Sequence, residues 1–274
     1  MQAKSEWISV GALGDAFKPD NHCLEAVNDL VGRGFVLNFE NGWSIRHEFS
    51  RPDELTWSPL PADAPAAVNQ ETCSVTCPRP DIYFVDFLKS QERATSVSLI
   101  LNLREQTFIA VIAQLPDATE ALMPLLKRAE HGKPLTGVNA SFLRGTIDVP
   151  FQASQNLPQP TGDLLGKRIE YVYSPQERYE HLYLNERCYT WRCIEGSEKG
   201  LADTDLCHYY KIADNLYLFV WREKIIPTLG VILINLEAMK TTGKIMGYEG
   251  NDFGAVRNFP VGAHARVLSV IDAE

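Results

Sequence analysis

Alternation of apolar and polar residues with a period of two dominates this chain. Ile82–Leu88, Val97–Leu103, Thr107–Ala113, Ile169–Tyr173, Leu216–Trp221 and Gly230–Leu236 are short segments rich in β-branched and aromatic residues, set apart by turn-forming residues, and each predicts a strand. One segment has another period. Asp117 with Glu120 forms a capping box, and the run Ala118–His131 closes on Gly132, which predicts a helix that carries Pro124 inside it. Two stretches interrupt the pattern. Pro59–Gln70 predicts a long surface loop, and the Pro-rich, polar stretch Pro150–Gly162 can sustain neither a helix nor a central strand, so a domain boundary is expected there.

The strand pattern occurs twice. Gly32 and Gly166 lie 134 residues apart, and the same offset pairs His47 with His181, Thr56 with Thr190, Trp57 with Trp191, Cys73 with Cys207 and Tyr83 with Tyr217. Leu37 falls on Tyr171, Phe39 on Tyr173, Phe49 on Tyr183 and Phe87 on Trp221. Solenoid and propeller repeats run to roughly 20–50 residues, so a period this long is a duplicated domain. Each copy then holds many sequential short strands, which a closed barrel accommodates without exposed edges. The expected fold is all-β: two tandem calycin (lipocalin-like) antiparallel barrels with a few short helices, over residues 1–150 and 160–274. An immunoglobulin-type double sandwich is the alternative, weakened because neither copy has the Cys-Trp-Cys arrangement.

Composition narrows the class. A net charge of −9 and a pI near 5.2 disfavour nucleic acid and anionic membrane surfaces as partners. The six cysteines form neither a CxxC pair nor a dense disulfide framework, and no apolar run approaches the ~18 residues of a membrane span. These features point to a cytoplasmic protein with inert thiols, and a homodimer is compatible with them.

Chemistry is expected where the copies diverge. Residues two apart on a strand share a face, so Tyr171 and Tyr173 project together, as do Tyr179, His181 and Tyr183, and Trp221 with Glu223. The first copy has Leu37 and Phe39 in place of the tyrosine pair and Lys89 in place of Glu223. Its core is therefore expected to be apolar and filled, with a supporting role. In the second copy, residues 190–208 gather Glu195, Glu198, Lys199, Asp203, Asp205 and His208 around two glycines.

Gly166-Lys-Arg-Ile-Glu-Tyr-Val-Tyr173, Cys188-Tyr-Thr-Trp191, Glu198-Lys-Gly-Leu-Ala-Asp-Thr-Asp205, Tyr217-Leu-Phe-Val-Trp-Arg-Glu-Lys224 and Gly243-Lys-Ile-Met-Gly-Tyr248 resemble the C-terminal domain of the molybdenum cofactor biosynthesis protein F (MoaF) family, and residues 30–115 resemble its N-terminal domain. Gly32-Arg-Gly-Phe-Val-Leu-Asn-Phe-Glu-Asn-Gly-Trp43 and the strand through Trp221-Arg-Glu223 are also similar to the single-barrel phenolic acid decarboxylases. That second resemblance implies a pocket carrying Tyr171, Tyr173 and Glu223, with Lys199 near the place of that family's pocket arginine.

These residues suit acid–base chemistry without a cofactor or a metal. A carboxyl in an aromatic-lined barrel is held protonated by desolvation, and tyrosine hydroxyls hydrogen-bond a phenolate, enolate or carboxylate. The reading is a lyase, isomerase or cyclase acting on a small aromatic or conjugated acid. Tyr171, Tyr173 and Glu223 are the catalytic candidates, and Lys199, Trp191, His181, Tyr183, Arg222 and Trp221 the substrate-binding ones. The alternatives are a non-catalytic small-molecule binder, in which the same residues only line the barrel, and a scaffold protein whose second cavity is filled by side chains.

Overall fold

A computed structural model describes residues 6–60, 68–153 and 156–271. The fold is two closed eight-stranded antiparallel barrels in tandem. The first is formed by β1 (Gly34–Phe39), β2 (Ser44–Arg51), β3 (Glu54–Leu60), β4 (Asn69–Arg79), β5 (Ile82–Leu88), β6 (Thr95–Asn102), β7 (Thr107–Gln114) and β8 (Asn139–Ile147). After the two-residue β9 (Gln159–Pro160), the second is formed by β10 (Lys167–Val172), β11 (Arg178–Asn185), β12 (Cys188–Glu195), β13 (Ala202–Ala213), β14 (Leu216–Arg222), β15 (Leu229–Asn235), β16 (Lys240–Tyr248) and β17 (Val256–Val270), closed by pairing of β12 with β13. Closure removes the free edges that the sequential hairpins would otherwise expose.

The duplication is written into the strand register. His47 faces Trp57 across β2 and β3, and His181 faces Trp191 across β11 and β12. Phe35 pairs with His47 as Ile169 pairs with His181, and Cys73 pairs with Phe87 as Cys207 pairs with Trp221. Side-chain contacts repeat too. Tyr83 donates to Asp29 Oδ2 at 3.2 Å, and Tyr217, 134 residues on, donates to Asp163 Oδ2 at 3.2 Å. Inward positions alternate along every strand, so β10 to β12 deliver Tyr171 and Tyr173, then Tyr179, His181 and Tyr183, then Tyr189 and Trp191, to one interior.

The chain divides into two compact units, Leu24–Gln114 with Ala140–Gln159, and Met1–Cys23 with Leu115–Asn139 and Pro160–Glu274. The segment before Cys23 therefore belongs with the second barrel. It contributes α1 (Val10–Phe17), whose N-cap Ser9 accepts from the Ala12 N–H and donates to the Glu249 carbonyl at 2.9 Å. Val10, Leu13, Gly14 and Phe17 fall on one helical face and are buried. A Cβ on Gly14 would stand 2.9 Å from the Phe259 ring, so glycine lets the helix lie close on β17.

Two expectations need correction. The helix over Ala118–His131 is in fact two, α2 (Ala118–Ala121) and α3 (Leu125–Glu130), divided at Pro124, whose ring cannot supply the N–H that a continuous helix requires. The Asp117 cap is present and accepts from the Glu120 N–H at 2.9 Å. Of the loop expected over Pro59–Gln70, Pro59 and Leu60 finish β3 and Asn69 and Gln70 begin β4, while residues 61–67 lie outside the described residues. No helix is long and apolar enough to cross a membrane among the described residues.

Candidate functional site

In the second barrel, Tyr173, Tyr179, His181, Tyr189, Trp191, Trp221, Glu198 and Glu223 surround a cavity of about 30 Å³, closed on one side by Leu13 and Phe17 of α1. That volume admits about one water molecule. Glu223 lies just beyond β14, on the face of Trp221, and though the residue is partly exposed its carboxyl turns inward to accept from Trp221 Nε1 at 2.9 Å. Glu198, in the β12–β13 turn, is buried and accepts from the Tyr179 hydroxyl at 3.0 Å.

The electrostatics of this pair differ from those of Asp205 beside it. Asp205 accepts from Trp191 Nε1 at 3.0 Å and is ion-paired with Lys224 at 3.3 Å. The neighbouring charges that act on the glutamates are other carboxylates. Desolvation, reinforced by Glu177, pushes the Glu198 pKa up to about 7. Desolvation, reinforced by Asp205 and Glu198, holds Glu223 well above the usual carboxylate range. The cavity thus contains two carboxyls whose pKa values are raised, that of Glu198 to about neutrality. Burial lowers the His181 pKa to about 3, so its imidazole stays neutral there. It packs against Tyr171 and Tyr189, with centroids 4.8 and 5.1 Å away.

The nine candidate residues fall into three groups. Tyr173, His181, Trp191, Trp221 and Glu223 line the cavity. Tyr171 and Tyr183 lie fully buried elsewhere in the barrel, their hydroxyls hydrogen-bonded to each other at 2.6 Å, and desolvation raises both pKa values. Lys199 and Arg222 lie outside the lining. Lys199 is exposed, and Arg222, on the opposite strand face from Trp221, donates to the Val138 carbonyl at 3.2 Å and contacts His208. No group of three or more His, Cys, Asp or Glu side chains among the described residues is arranged to hold a metal ion.

Sequence reasoning left Glu198, Tyr179, Tyr189, Leu13 and Phe17 off the candidate set. The two-residue period through Tyr189-Thr-Trp191 marks Tyr189, whereas Glu198 lies in a turn where periodicity carries no orientation.

Gly230 positions part of this site. It pairs with Trp221 across β14 and β15, and a Cβ there would come within 2.1 Å of the indole. The bare backbone lets the indole lie over it and aim Nε1 at Glu223. Gly230→Ala is expected to cost about 1–3 kcal/mol through overpacking and to break the Trp221–Glu223 hydrogen bond. The measurement is chemical denaturation together with the indole N–H resonance of Trp221. An unchanged resonance would show that glycine is dispensable there.

The first barrel contains a cavity in the corresponding place, and this corrects the expectation that its core is filled. Phe39, Ile45, His47, Trp57, Phe87 and Lys89 stand at the positions of Tyr173, Tyr179, His181, Trp191, Trp221 and Glu223, and with their neighbours they surround about 370 Å³. Smaller side chains at the Tyr179, Tyr189 (here Leu55) and Trp221 positions leave the space open.

Comparison with known proteins agrees with the two-barrel reading. Residues 5–117 match the model of the MoaF N-terminal domain and residues 158–271 that of the MoaF C-terminal domain. Protein MoaF of Klebsiella aerogenes is 44% identical over 273 residues, covering 98% of each chain. A solved structure from Burkholderia vietnamiensis, described as a "putative beta-lactamase", superposes with a TM-score of 0.34 at 14% identity over 40% of this chain and 100% of that one, too loosely to carry an argument. With both domain models matched in order and a relative this similar along nearly its whole length, the chain belongs to the MoaF family.

Proposed function

We propose that the second barrel is a cofactor-independent acid–base site for a small aromatic or conjugated acid. The observation that carries this reading is the Glu198 and Glu223 pair, two carboxyls in an aromatic cavity whose surroundings raise both pKa values. Buried carboxyls without cationic partners cost stability, and groups tuned in this way concentrate at functional sites. Glu223 is the proton donor to a carbon of the conjugated system. Glu198 exchanges a proton with an oxygen of the substrate or with water, and Tyr173 and Tyr179 supply hydroxyl donors to developing oxyanions.

For a 4-hydroxycinnamate the step balances as follows. The carbon next to the carboxylate gains the proton of Glu223, the bond to the carboxylate breaks, CO₂ leaves, the bonding pair restores the double bond, and solvent reprotonates Glu223. Without loss of CO₂, the same protonation gives double-bond migration or solvent exchange. The cavity has space only for water and must widen for a substrate to enter, and Leu13 and Phe17 of α1 form part of its wall.

The test is incubation of the full chain with 4-hydroxycinnamate and other conjugated acids in D₂O, followed by NMR. The expected result is deuterium at the carbon next to the carboxylate, or a deuterated vinyl product, with Glu223→Gln slowing it by about 10²-fold or more. Absence of exchange across the panel, or full activity in Glu223→Gln, would remove the acid–base reading.

A further inference from the structure

We infer that the first barrel is itself a binding site, one that takes a small apolar carboxylic acid, with Lys89 holding the carboxylate and the apolar walls holding the rest. The inference rests on the first barrel alone and stands whether or not the second performs proton transfer. Its cavity of about 370 Å³ falls within the range of small-molecule sites, roughly 300–1,000 Å³. Phe39, Phe87, Val97, Leu99, Ala110 and Ile112 give it hydrocarbon walls.

Duplication explains why the polar groups in this cavity differ in kind from those in the second. At the position of the carboxylic acid Glu223 stands the ammonium of Lys89, 4.9 Å from the centre of the Trp57 ring. Trp57 stands at the position of Trp191. There the indole N–H is met by Asp205, whose counterpart in the first barrel is Glu71. Glu71 instead accepts from the backbone N–H of Ser90 at 2.9 Å through one carboxyl oxygen, while its other oxygen and Trp57 Nε1 are both buried without a partner.

The remaining polar groups fix the sign of the ligand. His47 is buried, and desolvation lowers its pKa to about 4, so it carries no charge at neutral pH. Lys89 is ion-paired with Glu92, whose side chain is half exposed, and an ammonium has three donors, so this one partner does not exhaust it. A cation would meet Lys89, and a sugar would meet apolar walls. A neutral hydrocarbon would make no use of the Lys89 ammonium. An apolar acid satisfies all three constraints.

The probe is 4-benzoylbenzoate, an apolar aromatic acid that labels neighbouring C–H groups on irradiation. Calorimetric titration of the full chain is expected to give one saturable site, with the photolabel mapping to β2, β6 or β7 of the first barrel. Lys89→Met keeps the stem and removes the charge, and is expected to weaken binding by about 10- to 100-fold, the range of a hydrogen bond to a charged group. Lys89→Arg should restore most of it. Ala110→Trp should fill the cavity and abolish labelling. If that variant does not fold, the Lys89 pair and the label map still decide. No binding up to about 1 mM, corresponding to roughly −4 kcal/mol, a label confined to the second barrel, or binding indifferent to Lys89→Met would overturn the inference.

Discussion

Glu198→Gln is expected to stabilise the protein at pH 8 by about 3 kcal/mol relative to its effect at pH 4.5. In the folded chain burial raises the Glu198 pKa to about 7, against 4.5 for an ordinary glutamate. Between those values the folded state binds more protons than the unfolded state, so stability falls as pH rises through the window and levels off above it. Below the window both states hold the proton and the carboxyl costs nothing through this route. Glutamine cannot ionise, and its carbonyl can still accept from the Tyr179 hydroxyl, so the variant keeps the contact and loses the penalty. Denaturation of both proteins at the two pH values gives the result as a difference of differences.

That form of measurement cancels the histidines. His47 and His181 are buried and neutral, with pKa values lowered to about 4 and 3 by desolvation. Their contribution is fully present above about pH 6.5 and is lost as pH falls towards the folded values, in parent and variant alike. A stabilisation that does not change with pH would mean that Glu198 is ionised or protonated equally in both states, and the acid–base reading of the cavity would lose its titrating member. A gain at high pH would instead identify Glu198 as a residue held against stability, as expected of functional groups.

The fold was legible because duplication leaves a trace that single-strand propensity does not. The 134-residue offset links His47 to His181 and Trp57 to Trp191, and those residues face each other in the same cross-strand pairs. Same-face alternation likewise places Trp221 with Glu223. It does not report depth along the barrel axis, which is why Tyr171 and Tyr183 make a separate buried hydroxyl pair away from the cavity lining. Nor does it orient turns. Lys199 and Glu198 are adjacent, yet one is exposed and the other buried. The first cavity was hidden for another reason. Apolar residues at positions 37 and 39 read as a filled core, whereas volume depends on whether the replacements fill the space that larger side chains occupy in the other copy.

Phe17→Ala is expected to uncover the second cavity, with loss of about 3–5 kcal/mol and recovery of part of that loss on adding phenol. The ring is 5% exposed and lies 4.7 Å from Tyr173, 5.9 Å from Tyr179 and 6.3 Å from Phe259, centre to centre. Removing it deletes one wall of a space that already contains the two carboxyls and adds roughly a ring's volume to it. A small phenol fits such a gap and can reach the tyrosine and glutamate acceptors around it. A ligand at about 100 times its dissociation constant stabilises by roughly 2.7 kcal/mol, so the melting temperature of the variant should rise with phenol while that of the parent stays fixed. The comparison separates two roles for α1. If phenol stabilises only Phe17→Ala, the helix is the wall that a substrate must displace. If parent and variant respond alike, Phe17 is not what limits entry, and the route to Glu198 and Glu223 lies elsewhere on the second barrel.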